Sequence, residues 1–131
     1  MKKLEKMEQE LLNAERVSYE KRDTFPPKPG CYLIREKGII RYVGETRNLR
    51  ARMMESKRTQ NHTLKSYVGR KLFGRWEGQK TRYNDEEERI NKYLIKYITI
   101  SFIPVYFGRK ELEEHVVKNH RDTLYNKVSK R

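Results

Sequence analysis

Residues 30–52, which read GCYLIREKGIIRYVGETRNLRAR, decide the fold of this chain of 131 residues. Two runs rich in β-branched and aromatic residues, Cys31–Arg35 and Ile39–Gly44, lie on either side of a short turn at residues 36–38. Runs of this length and composition, separated by a few residues that include glycine, are typical of paired strands. The stretch therefore predicts a β-hairpin.

Side chains within the two predicted strands alternate between the two faces of the sheet. Tyr32 and Ile34 are expected on one face of the first strand. On the second strand, Ile40, Tyr42 and Gly44 are expected to share a face. An antiparallel register that pairs even-numbered residues places both tyrosines on the same side of the hairpin.

The other elements follow from apolar spacing and from residues that interrupt helices. Three prolines make residues 24–30 a non-helical connector. Pro104 favours an edge position or a bulge for the strand that contains it. The remaining predicted elements are an N-terminal helix over residues 1–22, a helix from about Asn48 with basic helical sequence continuing to Arg75, a helix from Asn84 or Asp85 through Ile98, a strand over Ser101–Phe107, and a last helix from near Arg109 that ends before Asn126.

These elements together predict an α/β chain of the α+β type. We expect a small, mainly antiparallel sheet of three strands flanked by helices, with an added helix at the N-terminus. Residues 1–23 are predicted to be a helical extension and residues 24–131 to be one domain, since a chain of this length has room for a single core.

Positive charge is concentrated in one part of the sequence. The formal net charge is +13, and residues 41–82 hold twelve Lys or Arg against three Glu, a net +9. A basic block of this kind is typical of proteins that contact phosphates. Binding to a membrane surface is disfavoured, because Arg and Lys interrupt the apolar positions that a membrane-bound helix would need.

The composition also excludes several classes of protein. Cys31 is the only cysteine, which excludes an internal disulfide and a zinc site built from cysteines. No apolar run approaches the ~20 residues of a membrane span, and no apolar signal segment follows the basic N-terminus. The sequence predicts a cytoplasmic protein.

The motif in residues 30–52 resembles that of the GIY-YIG nuclease family. Gly30-Cys31-Tyr32 corresponds to the first triplet, Tyr42-Val43-Gly44 to the second, and residues 48–52 to the Asn-Leu-x-x-Arg that opens a helix. The resemblance covers most of residues 28–126. It implies a small sheet surrounded by helices, and a site with two tyrosines, one arginine and one metal-binding glutamate.

The resemblance assigns roles that fit the chemistry of phosphodiester hydrolysis, in which water must be activated and charge on the phosphate neutralised. We assign Tyr42 as the general base and Tyr32 as the residue that orients the water or the phosphate. Arg52, ten residues after Tyr42, is expected to hold a phosphate oxygen through its guanidinium.

The resemblance implies a metal ligand on the closing helix, where two neighbouring residues are candidates. The family pattern of Glu-x-x followed by two aliphatic residues selects Glu113, whereas the family's usual spacing back from Asn126 selects Glu114. At about 100° per residue, Glu113 falls on the apolar arc and Glu114 points away. An inward carboxylate is costly unless it is paired or bound to a cation, which favours Glu113 as the ligand of Mg²⁺ or Mn²⁺.

Two positions depart from the family pattern. Many relatives carry Lys after the second triplet or His four residues past the arginine, where this chain has Glu45 and Ser56. His62, Lys65, His115 or His120 could supply the missing proton carrier. Further residues predicted to contact DNA are Gly44, Arg47, Asn48, Arg50, Lys57, Arg58, Lys65, Arg70, Lys71 and Asn126.

The sequence thus predicts a metal-dependent endonuclease that acts on double-stranded DNA, as a monomer or a homodimer and without a membrane partner. Two alternatives remain: a DNA-binding module of the same fold whose catalytic site has decayed, and a basic RNA-associated protein without catalytic activity. Cleavage of plasmid with and without Mg²⁺ distinguishes the first from the others.

Overall fold

The computed structural model describes residues 2–54, 68–72 and 84–124. Residues 68–72 are helical. The other elements are α1 (Lys2–Asn13), β1 (Val17–Ser18), a 3₁₀ helix (Tyr19–Thr24), β2 (Gly30–Glu36), β3 (Ile39–Thr46), α2 (Leu49–Met54), α3 (Asn84–Tyr97), β4 (Ile98–Pro104) and α4 (Arg109–Asn119).

Four strands of the described chain form one antiparallel sheet in the order β1-β4-β2-β3. All seven residues of β2 are buried. Strand β2 has a neighbour on each side and helices over both faces, which explains why its sequence is apolar without a solvent-facing row. Strand β1 is short and pairs with Thr99 and Ile100 of β4. Beyond those two residues β4 is paired on one side only, with β2, so Pro104 lies at an edge of the sheet, opposite Gly30.

Strands β2 and β3 are joined by a two-residue turn at Lys37 and Gly38, both with positive φ (53° and 85°). Positive φ at both central residues is the geometry of the turn most compatible with the twist of a hairpin. The ladder then contains a β-bulge. Ile34 pairs with Tyr42 and Arg35 pairs with Ile40, which leaves Arg41 as an extra residue in β3.

The sheet separates two apolar cores. The first lies against the 3₁₀ helix, α2, α3 and residues 68–72, and contains Tyr32, Ile34 and Tyr42. The second lies against α1 and α4, and contains Cys31, Leu33 and Val43. The fold therefore has three layers, and the alternation of side chains along β2 divides the hairpin between its two cores.

Several sequence-based boundaries are wrong. The predicted helix over residues 1–22 ends at Asn13, and Val17–Ser18 adds a fourth strand to the three that were expected. The apolar spacing behind that prediction, which runs from Leu4 to Leu12, stops inside α1. The division between residues 23 and 24 remains a prediction, and β1 pairs across it with β4.

The strand expected at Ser101–Phe107 is instead β4, Ile98–Pro104, which begins directly after α3. Ile98 and Ile100 extend the alternating burial towards the N-terminus, whereas Tyr106 and Phe107 leave the sheet. Ile40 is also misassigned: the bulge turns it towards the second core, away from Tyr42. The same-face prediction for Tyr32 and Tyr42 is confirmed.

In the part of the chain that the structure describes, no helix has the length and apolar character to cross a bilayer.

Candidate active site

Tyr32 and Tyr42 form the centre of the site. Their rings are stacked, with centroids 6.3 Å apart and an interplanar angle of 10°. They retain 2% and 8% of their exposure, respectively. The pair therefore packs like core residues, while Tyr42 keeps slightly more access to solvent.

Gly44 lies opposite Tyr32 in the ladder, and the Tyr32 side chain occupies the space above it. A Cβ on Gly44 would overlap the ring and hydroxyl of Tyr32. The absence of a side chain at residue 44 is therefore explained by this cross-strand packing. The predicted contact between Gly44 and a phosphate remains a prediction.

Helix α2 brings Arg52 to the tyrosines. Asn48 accepts a hydrogen bond from the Ala51 amide through Oδ1 (3.0 Å), and Thr46 Oγ1 accepts one from the Asn48 amide (3.1 Å). An asparagine in this position stabilises the start of a helix. Leu49 and Met53 fix the helix in the first core, and the charge of the half-buried Arg52 lowers the pKa of both tyrosines.

Glu113 acts on the same site from α4. It is 7% exposed, whereas Glu114 is exposed, so the helix phase predicted for the two neighbours is confirmed. The negative charge of Glu113 raises the pKa of Tyr32 and of Tyr42, as expected for a carboxylate near both phenols. Helix α4 packs along β3, an edge strand, from the other face of the sheet.

Burial is the main influence on both phenols and raises the pKa of Tyr32 and Tyr42 above the ordinary value for tyrosine. Arg52 opposes this effect and Glu113 adds to it. Both tyrosines are therefore neutral at physiological pH in the protein alone. A neutral phenol orients water or phosphate as a hydrogen-bond donor and acceptor, and needs additional positive charge nearby to act as a base.

Arg109 and Glu45 form an ion pair that the sequence did not suggest, next to Gly44. Arg109 Nε lies 3.0 Å from Glu45 Oε1, and the Arg109 carbonyl accepts a hydrogen bond from the Cys31 thiol (3.5 Å). Burial, and then the charges of Glu45 and Glu113, raise the pKa of that thiol to about 12. Glu45, one of the two departures from the motif that residues 30–52 resemble, is thus paired with Arg109.

The residues predicted to contact DNA divide into several groups. Arg47 and Arg70 are exposed. Arg50 Nε donates to the Phe25 carbonyl (2.8 Å), and Asn48 caps α2, so both have structural contacts. Lys57, Arg58, Lys65 and Asn126 lie outside the described residues, as do Ser56 and His62.

Lys71 is engaged with a buried acid. Its Nζ lies 2.7 Å from Oε2 of Glu36, which is 2% exposed and also accepts a hydrogen bond from the Tyr93 hydroxyl. Glu36 is four residues from Tyr32 along β2, a separation of roughly 13 Å. Lys71 is therefore held at the turn end of the hairpin, away from Tyr32.

His115 and His120 form a separate cluster with α1. Glu8, which is 6% exposed, lies 3.1 Å from His115 Nε2 and 3.3 Å from His120 Nε2, and it accepts a hydrogen bond from Asn119 Nδ2 at 3.1 Å. These contacts fasten α1 to α4. Among the described residues, both histidines are thus engaged in helix packing through Glu8.

Glu113 fits a hard divalent cation. The described residues hold no group of three or more His, Cys, Asp or Glu arranged for a metal ion. Mg²⁺ needs no such group, because it keeps several waters and binds through one or two carboxylates together with substrate phosphate oxygens. A single buried carboxylate whose charge influences two phenols is consistent with that chemistry.

The solved structures to which the chain is similar are GIY-YIG endonuclease domains. One is the N-terminal endonuclease domain of UvrC from Thermotoga maritima bound to its catalytic divalent cation, magnesium. It is 19% identical, with a TM-score of 0.43, over 89% of this chain and 92% of that one. A tyrosine-to-phenylalanine variant of that domain, also bound to the cation, is 18% identical with a TM-score of 0.43, over 89% and 91%.

No family model matches the chain, and no curated protein matches it. With TM-scores below 0.5, the assignment of a function depends on the residues of the site itself.

Proposed function

We propose that this protein is a metal-dependent endonuclease that hydrolyses phosphodiester bonds of double-stranded DNA. The observation that supports it is that the charges of one arginine and one buried glutamate both act on a stacked pair of tyrosines. Arg52 and Glu113 influence the pKa of both phenols, although they belong to helices on opposite faces of the sheet. The basic block at residues 41–82 supplies charge for binding the substrate.

Each residue has a role in the proposed reaction. The Arg52 guanidinium binds a nonbridging oxygen of the scissile phosphate and neutralises the charge that develops there. Glu113 would hold Mg²⁺ or Mn²⁺, and the cation would supply positive charge that polarises the phosphate and lowers the pKa of nearby water and phenol.

The tyrosines handle the water. Tyr32, fixed above Gly44, orients the water or the phosphate. The Tyr42 hydroxyl first releases its own proton to solvent, and the phenolate then accepts a proton from the attacking water as the water oxygen bonds to phosphorus. One bridging P–O bond breaks, and the leaving oxygen takes a proton from solvent.

Replacing the two neighbouring glutamates tests the proposal. Glu113→Gln should reduce Mg²⁺-dependent nicking of plasmid by at least about a hundredfold, because the amide cannot supply the charge that holds the cation. Its affinity for DNA should be unchanged or slightly higher, since one negative charge near phosphate is lost. Glu114→Gln is the matched control and should retain wild-type nicking.

The reverse pattern would transfer the metal to Glu114 and overturn the assignment. Equal nicking by the wild type and both variants, in a reaction that still needs the cation, would overturn the role of α4.

A DNA-binding module without turnover is the second candidate. The observation in its favour is Glu45, which occupies a position where relatives carry a lysine and is held by Arg109 at 3.0 Å. Absence of nicking by the wild type on duplex and branched DNA, in Mg²⁺ and in Mn²⁺, together with retained binding, would establish this candidate in place of the nuclease.

A further inference from the structure

Two aromatic side chains project from the loop between β4 and α4. Phe107 is 89% exposed and Tyr106 is 55% exposed, the two highest values among the large apolar residues that the structure describes. Together with Lys110 and Glu111 they line a shallow notch of about 250 Å³. Exposing adjacent large apolar side chains is unfavourable, which makes such a pair a candidate contact surface.

The loop is held firmly on both sides of the aromatic pair. Val105 is buried in the second core, and its amide donates to the Pro29 carbonyl (2.9 Å). Gly108 adopts φ 81° directly before α4, and the Arg109 guanidinium donates to the Tyr106 carbonyl (3.0 Å). The aromatic rings are therefore presented on a fixed backbone, which lowers the entropy lost when a ligand binds.

The aromatic pair lies beside the candidate active site. Arg109, two residues after Phe107, is paired with Glu45, the neighbour of the Gly44 that underlies Tyr32. Glu113 follows one turn later on the same helix. At 1.5 Å per residue, the start of α4 is roughly 6–8 Å along the helix axis from Glu113.

We propose that Tyr106 and Phe107 stack on a nucleobase that is already unpaired close to the cleaved phosphate. This rests on the proposed function and defines its substrate more narrowly, as duplex DNA that contains an extrahelical or unpaired base. Stacking on aromatic rings is the common means of holding unpaired bases, and it does not depend on base identity. The net charge of +13 suits an anionic strand. At the notch itself Lys110 is balanced by Glu111, so the two aromatic rings, and not local charge, are what hold the base there.

The test measures binding in EDTA, so that cleavage is not required. The probes are two otherwise identical duplexes, one fully paired and one with a single bulged 2-aminopurine, whose fluorescence is quenched by stacking. Wild-type protein should quench the bulged probe and bind it at least about fivefold more tightly than the paired duplex. Phe107→Ala should remove both effects and leave affinity for the paired duplex unchanged.

Two further variants separate stacking from general apolar contact. Phe107→Trp should keep the quenching, and Phe107→Leu should lose it. Ile95→Ala, which removes an exposed apolar residue from α3, is the matched control and should behave as wild type.

Equal affinity of the wild type for the two probes would overturn the inference, as would a Phe107→Ala variant that keeps the preference. Sedimentation showing that wild-type protein self-associates through Phe107 would also overturn it, by assigning the surface to a second copy. If the preference for the bulged probe is absent but Mg²⁺-dependent nicking is intact, only the stacking inference is overturned and the proposed nuclease function is retained. Quenching without any nicking instead removes the nuclease and keeps the stacking site on a binding module.

Discussion

Tyr32 and Gly44 form a cross-strand pair in which the ring of one residue lies over the backbone of the other. The pair connects packing to chemistry, because the position of the Tyr32 hydroxyl is set by the absence of a side chain at residue 44. Tyr32 is 2% exposed, so the ring has little room to move aside. Closely packed sites of this kind tolerate added volume poorly.

Gly44→Ala should therefore lower the free energy of unfolding by about 1–3 kcal/mol, the typical cost of inserting a methyl group into a filled core. Urea denaturation measures the effect. Tyr32→Leu shortens the side chain that the new methyl group meets, so Gly44→Ala should cost less in that background than in the wild type. Strictly additive effects of the two substitutions would show that the ring is not the obstacle.

Helix α1 is attached to the rest of the chain by polar groups as well as by its apolar face. Arg35, a buried residue of β2, donates from Nη2 to the Leu12 carbonyl at 2.9 Å and from Nη1 to Ser101 Oγ at 3.0 Å. Burial and the nearby charge of Arg16 lower the pKa of Arg35. Glu8 contributes the second attachment through its contacts with α4.

Removing the Glu8 attachment should loosen α1. Glu8→Ala leaves the side chains of His115 and Asn119 without their carboxylate partner, so we expect stability to fall by about 1–3 kcal/mol. Amide hydrogen exchange in α1 should accelerate more than exchange in β2. The exposed Glu10→Ala is the matched control, and exchange rates equal to those of that control would contradict the attachment.

The elements that sequence could predict are those with a local pattern. The hairpin was predictable because two runs rich in β-branched and aromatic residues flank a turn that contains Gly38, and α4 because its apolar residues recur at helical spacing. Strand β1 was not, because a two-residue strand has no period, and it forms only where β4 offers an edge. The three-residue offset of β4 has a related cause: Ile98 and Ile100 suit a helix end or a strand equally well.

The candidate site shows the same division. Tyr32, Tyr42 and Arg52 could be proposed from spacing, and helix phase separated Glu113 from Glu114 in burial. The pairing of Arg109 with Glu45 could not, since it joins residues 64 positions apart and neither belongs to a periodic pattern. The contacts of His115 and His120 with Glu8 could not be predicted for the same reason.

Across the whole molecule, the charge distribution governs how the protein meets a polyanion. Residues 41–82 carry a net +9 of the total +13, so the strands and helix that hold Tyr42 and Arg52 belong to the most basic part of the chain. An electrostatic contact of this kind releases counterions from DNA when it forms. The affinity should accordingly depend steeply on salt.

If six to ten phosphates are contacted, the affinity for duplex DNA should fall by roughly 10³- to 10⁵-fold between about 50 and about 200 mM salt. Fluorescence anisotropy over a salt series gives the slope. Arg47→Ala, at an exposed position in the basic block, should reduce the slope by about 1. Lys118→Ala, exposed on α4 outside the block, should leave it unchanged, and an affinity insensitive to salt would exclude the block as the contact surface.

The extra residue in β3 decides which side chains of β2 and β3 share a face of the sheet. The turn pairs Glu36 with Ile39, and an uninterrupted ladder from that pair would set Tyr32 opposite Val43 and Tyr42 opposite Leu33. Tyr42 would then point towards α1 and α4, on the reverse side of the sheet from Tyr32. The surplus Arg41 changes the parity and brings the two rings together. In a hairpin with a two-residue turn, two tyrosines separated by an even number of positions therefore share a face only if one strand contains one such surplus residue. Two tyrosines separated by an odd number of positions share a face without it. Whether the two tyrosine rings share a face of the sheet thus depends on the number of residues in β3 between the turn and Tyr42.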